Sequence, residues 1–214
     1  MVTDSKKKFK NTGFEDETTK ARFIREAISL FAKRGYNATS IDDITRATGL
    51  SKGAFYWHFK SKEEILKSFL EEWESRFLDG LIQSVKEVRD GVIAKFYRLN
   101  RFTSGFAVKN RELCVSFDAL SGELVGSNHS TEGDFRRIYN KYQQFLFELI
   151  EEGKREEVVR KDLDSMFAAM IIMAFHHGLL LQWSMNRENI DGETYMSTYR
   201  SILDKGIFVP HDGK

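Results

Sequence analysis

A chain of 214 residues can bury a substantial core as one or two domains, and its single cysteine, Cys114, excludes an internal disulfide. The net charge of +1 conceals an uneven distribution: residues 1–62 hold 13 Lys and Arg against 7 Asp and Glu, the remainder 20 against 25. This argues against a disulfide-built secreted scaffold and for a cytoplasmic protein whose N-terminal part is suited to phosphate.

Residues 1–17 are expected to form a basic arm. No apolar block follows Lys6, Lys7, Lys8 and Lys10, so no signal peptide is expected; the arm reads either as a solubilising tail or as a segment that touches a nucleic-acid backbone or minor groove. A first helix places Ala21, Ile24, Ala27, Ile28 and Phe31 on one face and stops at Arg34-Gly35-Tyr36. Ser40 then caps a short helix with Asp43 facing its free amides, and Ile41, Ile44 and Ala47 form its apolar stripe. Gly49 supplies a left-handed stop, and Ser51 caps a second short helix in which Phe55 and Phe59 point inward. Lys52, Gly53, Tyr56, Trp57, Lys60 and part of His58 are left without a core to enter. Two short helices with such a row facing outward are how a helix-turn-helix presents itself to DNA. Ser61 with Glu64 makes a capping-box pattern, and Lys62 opposes the dipole of the helix that follows, which predicts a phosphate partner for it.

That helix is expected to run from Lys62 toward Val88, burying Ile65, Leu66, Phe69, Trp73, Phe77, Leu81 and Val85. Helical spacing continues through Val92, Phe96, Leu99 and Phe106, then Leu113, Phe117, Leu120 and Leu124, and after a loop at 126–133 through Phe135, Ile138, Tyr142, Phe145 and Leu149. Residues 165–186 contain no formally charged side chain. Their length permits a membrane span, but His176, His177, Gly178 and Gln182 dilute the run, and a helix buried on every side, partly by a second copy of the chain, is the reading preferred. Tyr195, Tyr199, Ile202 and Leu203 predict one more amphipathic helix. No strand alternation is sustained, and Pro210 is the only proline.

From Thr18 to Phe69 these residues resemble the TetR family of bacterial transcriptional repressors. The resemblance is carried by the first helix, Arg34-Gly35-Tyr36, Thr39-Ser40, Ile44, Gly49 and the run from Phe55 to Lys62, whose aromatic stretch is similar to that of tetracycline repressors. It implies an all-α protein with a three-helix DNA-binding domain at 18–65, its helix-turn-helix at 40–59, and a helical effector-binding and dimerisation domain at 66–210. The implied partners are double-stranded operator DNA, a small-molecule effector and a second copy joined through the last two helices, with no cofactor, no metal and no membrane.

Contacts to DNA are assigned to Thr39, Ser40, Ser51, Lys52, Gly53, Ala54, Tyr56, Trp57, His58 and Lys62. Lys52, at the start of the recognition helix, is the expected base reader, while Gly53 lets the backbone approach closely and Ala54 suits a thymine methyl. An effector pocket is assigned to Trp73, Phe77, Phe102, Phe106, Phe117, Tyr139 and Met170, with Phe167 and Met173 as further inward candidates and Gln143 and His177 as polar contacts; such a lining implies an apolar or aromatic effector.

Two other classes fit the composition less well. An enzyme would need a nucleophile elbow, a phosphate loop or a metal motif, and none is present; His176 and His177 are adjacent and point about 100° apart on a helix, which does not converge on one metal. A helical interaction protein without DNA binding is opposed by the intact caps, turn and basic head.

Overall fold

The computed structural model describes residues 18–186 and 188–210, so the expected basic arm lies outside the described residues. The fold is helical. Helix α1 (Thr19–Arg34), α2 (Ile41–Thr48) and α3 (Lys52–His58) pack as a three-helix head, and α4 (Lys62–Trp73) leads out of it. A π-helical segment (Glu74–Asp79) and α5 (Gly80–Lys86) continue the same rod. The body adds α6 (Gly91–Lys109), α7 (Arg111–Leu124), α8 (Glu132–Arg155), α9 (Ser165–Met185) and α10 (Gly192–Ile207).

The head follows its local signals. Ser40 accepts from the Asp43 amide while Asp43 returns a carboxylate to the Ser40 amide, a complete capping box. Gly49 closes α2 at φ +66°, where a side chain would be strained, and Ser51 caps α3 at the Ala54 amide. Two details differ from the sequence pattern. Ala47 is exposed and Thr48 takes the buried place, its hydroxyl donated to the Ile44 carbonyl at 3.0 Å, while on α1 Phe23 rather than Ala21 points inward. Phe23 meets Phe55 and Phe59 edge-on, at 5.5 and 6.3 Å between centroids, and burying each ring contributes about 1.5–3 kcal/mol.

The π-helical segment was not foreseen. Lys141 on α8 donates to both Glu74 and Asp79, at 2.7 and 2.6 Å, and Arg137 also reaches Glu74. Residues five apart lie about 140° apart on an α-helix. The i→i+5 ladder of a π-helix brings them to nearly one face, so the local rewinding fits one ammonium holding both carboxylates. Burial alone would raise the Glu74 carboxyl, but its two cationic partners hold it below the usual range.

Head and body meet at the turn after α1. Glu123 on α7 accepts from the amides of Tyr36 and Asn37, at 2.8 and 3.2 Å, and the Tyr36 ring packs against His129. At the far end of the body, Val159 and Phe208 form an isolated antiparallel bridge beside Gly153. A Cβ at Gly153 would sit 2.4 Å from Val159 Cγ2 and 2.9 Å from Val92 Cγ1. Gly→Ala inside a helix ordinarily gains up to about 1 kcal/mol; here overpacking wins, and Gly153→Ala should cost roughly 1–3 kcal/mol in chemical denaturation. A stabilised variant would show that the α6–α8 contact yields freely.

Candidate nucleic-acid interface and internal cavity

Helix α3 presents one outward row. Trp57 is 85% exposed and Tyr56 55%, a costly arrangement for large rings unless something outside the chain meets them. Lys52 pairs with Asp42 across the turn at 2.7 Å, both side chains well exposed, and this hydrogen bond raises the Lys52 ammonium above its ordinary value. Gly53 has a negative φ and only Ser51 Oγ, at 3.7 Å, near its missing Cβ, so nothing inside the protein demands glycine there. Ser40 and Ser51 are exposed, Ala54 is half-buried against the core, and His58 is half-buried against Phe23 and Phe59.

Two side chains of the expected DNA-contacting set are turned inward instead. Thr39 is buried and donates its hydroxyl to the Gly35 carbonyl at 2.9 Å. Lys62 donates to the carbonyls of Tyr36 and Thr39, at 2.7 and 2.9 Å, with its ammonium 4.3 Å from the Tyr36 ring centroid. The lysine that opposes its own helix dipole is thus explained by the turn it ties down rather than by a phosphate. Burial lowers its pKa, with the Glu123 charge acting the other way.

In the body a cavity of about 60 Å³ lies among α4, the π-helical segment, α6, α7, α8 and α9. Of the expected pocket residues it brings together Trp73, Phe77, Phe117, Tyr139 and His177. Phe102 and Phe106 pack behind Phe77 without lining it. Gln143 and Met170 do not belong: Gln143 donates to Met166 Sδ on the outer surface, and Met170, like Phe167, is exposed on α9. The inward stripe of α9 is Ala169, Ile172, Met173 and then the two histidines, so Met170 falls beside it, and Met173 is ordinary core.

The polar part of the lining was mostly missed. His176 is held at both ring nitrogens, by Tyr142 Oη at 2.7 Å and Tyr199 Oη at 3.1 Å, and burial pushes its imidazole down to about 3. His177 turns the other way to Asp118, at 2.8 Å. Cys114, one turn before Asp118, is buried and its thiol is pushed up to about 12, a poor nucleophile. Asp118 and Cys114 sit one and three residues from Phe117; a polar group flanking a buried aromatic on the same helix was the available signal. Among the described residues, no three His, Cys, Asp or Glu side chains are grouped to hold a metal.

Comparison with known proteins agrees with this architecture. Residues 23–69 match the family model described as bacterial regulatory proteins, tetR family. The chain is 43% identical over 201 residues to the uncharacterized HTH-type transcriptional regulator YwcC of Bacillus subtilis (strain 168), covering 88% of this chain and 83% of that one. Among solved structures, the MbdR regulator from Azoarcus sp. CIB superposes with a TM-score of 0.78 at 30% identity, over 88% of this chain and 98% of its own. FadR from Bacillus subtilis, solved in complex with stearoyl-CoA, shares the fold with a TM-score of 0.71 at 22% identity, over 87% of this chain and 98% of its own. A relative of this identity over most of both chains, together with the matched head, places the chain in the tetR family of helix-turn-helix transcriptional regulators.

Proposed function

We propose that the protein is a repressor that binds an inverted-repeat operator as a dimer and leaves it when a small effector occupies the cavity beside Trp73. The outward row of α3 carries this reading: Trp57 and most of Tyr56 stand exposed, Tyr56 touching only the edge of Phe55 among the described rings, and Lys52 stands at the helix start where side chains reach base edges. Residues 18–65 form the reading head and 66–210 the effector and dimer body. Tyr56, Trp57, His58, Ser40 and Ser51 position the head on phosphates, and Lys52, Gly53 and Ala54 face the bases.

The dimer forms through α9 and α10. Phe167, Ile171 and Phe175 on α9 and Ile202 on α10 are exposed in the single chain. By length and hydropathy α9 would also suffice to cross a membrane. A second copy is the better cover, because the same helix carries His176 and His177 into a polar network of the body. The resulting protein acts in the cytoplasm.

The rod that begins at Lys62 joins the two functions. Trp73 and Phe77 lie about three and four turns from its start, so an effector wedged against them tilts α4 and changes the separation of the two heads. Release then follows from differential affinity for the two arrangements. The cavity is small beside the roughly 300–1,000 Å³ of ordinary ligand sites, so binding must open it, and the opening is the source of the coupling.

Titration of inverted-repeat and scrambled duplexes by gel shift tests the reading. Affinity should favour the inverted repeat, and Lys52→Ala should relax discrimination at particular base pairs by about 1–3 kcal/mol. Equal affinity for both duplexes, or a monomer at micromolar concentration, contradicts it.

A further inference from the structure

We propose that the effector is a flat aromatic cation whose positive charge takes the place of His177 on Asp118. This rests on the reading of the cavity as the effector site and names the chemistry it selects. Three observations converge. Aromatic rings from Trp73, Phe77, Phe117, Tyr139 and Tyr142 make up most of the apolar wall, beside Ala107, Ile138 and Leu180, and Trp73 and Phe117 lie face to face with centroids 3.7 Å apart and planes 10° from parallel. The pair is closed as it stands, and a flat ring would be sandwiched by it once the two planes are parted. Aromatic faces also attract cations electrostatically.

The second observation is the single carboxylate in the lining. Asp118 follows Phe117 directly on α7, and among the described residues its carboxylate is hydrogen-bonded to the His177 ring. An imidazole is an exchangeable partner for a carboxylate, and a cationic N–H at the same distance keeps the hydrogen bond and adds the attraction of a full positive charge. Trp73 adds an unspent donor, since its indole N–H is buried without an acceptor among the described residues.

The third is access. Asp118, Tyr139, His177 and Leu180 line both the internal cavity and a separate surface pocket of about 420 Å³ between α7 and α9. The Asp118–His177 pair therefore stands in the partition between outside and inside. A cation drawn into the surface pocket meets Asp118, displaces His177, and carries its ring system toward the Trp73–Phe117 stack. Parting that stack by one ring thickness moves α4 away from α7, which is the displacement release requires.

The test uses the full chain without DNA, in a Trp57→Phe, Trp183→Phe background that leaves Trp73 as the emitting indole. Aminoacridine serves as the flat cation and anthracene carboxylate as the flat anion of similar size. Aminoacridine should quench Trp73 and bind at least about tenfold more tightly than the anion, and Asp118→Asn should remove that preference. His177→Leu, which frees Asp118, should tighten aminoacridine binding, so the test does not depend on a loss of function. If both probes quench Trp73 equally, or Asp118→Asn changes nothing, the cation assignment is overturned while the cavity remains the effector site. If neither quenches Trp73, the assignment of the cavity falls with it.

Discussion

Replacing Lys62 by methionine is expected to destabilise the protein by roughly 2–3 kcal/mol, because two charge-assisted hydrogen bonds to the Tyr36 and Thr39 carbonyls disappear while the apolar stem is kept. Those carbonyls belong to the turn that Glu123 holds from the other side through the Tyr36 and Asn37 amides. Loss of Lys62 therefore loosens the seat of the head on the body as well as the start of α4. Operator affinity should fall with it, but the dependence of log affinity on log salt should keep its slope. A phosphate contact would contribute about 0.9 to that slope for each head. Denaturation and salt titration of the same variant separate the two accounts: unchanged stability with a flatter slope would return Lys62 to the DNA.

The contrast between Lys62 and its neighbours shows what the sequence could and could not reveal. Ser40, Gly49 and Ser51 act within three or four residues, through caps and a left-handed stop, so their roles follow from spacing alone. Lys62 and Thr39 bond inward where the sequence pointed to DNA, because their acceptors are main-chain carbonyls, which every residue carries and no sequence pattern marks. The π-helical segment was hidden for a related reason. Residues 74–79 have an ordinary helical pattern, and the lysine that bridges Glu74 to Asp79 lies more than sixty residues later on α8.

The cavity divides in the same way. Trp73, Phe77, Phe117, Tyr139 and His177 were found because large rings at helical spacing must point inward somewhere. Gln143 and Met170 failed because the rotation of α8 and α9 about their own axes is fixed by packing of several helices. On α9 the sequence is apolar on every side, so periodicity cannot say which side faces the body. Asp118 and His176 became visible only once α7, α8, α9 and α10 were set against one another.

His176 carries a large pH effect expected of the body on the acid side. Its imidazole lies between Tyr142 on α8 and Tyr199 on α10, and burial, with the neighbouring His177 charge adding to it, lowers its pKa to about 3 from an ordinary 6.5. The neutral ring donates to one tyrosine and accepts from the other, so both hydroxyls are satisfied without a charge in the core. In the unfolded chain the same ring takes up a proton near pH 6.5, so between about pH 6.5 and 3 the unfolded state holds more protons than the folded one. A depressed histidine thus contributes stability that is present above the unfolded value and is lost as pH falls through that window. The loss reaches on the order of 4–5 kcal/mol at the acid end, enough to matter against a typical stability of about 5–15 kcal/mol. His176→Gln keeps a donor and an acceptor but cannot titrate, so its stability difference between about pH 7 and pH 4 should be smaller than that of the parent by on the order of 2–3 kcal/mol. Carboxylate losses are common to both proteins and cancel in this comparison. Equal pH dependence in parent and variant would mean that His176 charges in place, and that the contacts among α8, α9 and α10 open to water well before the protein unfolds.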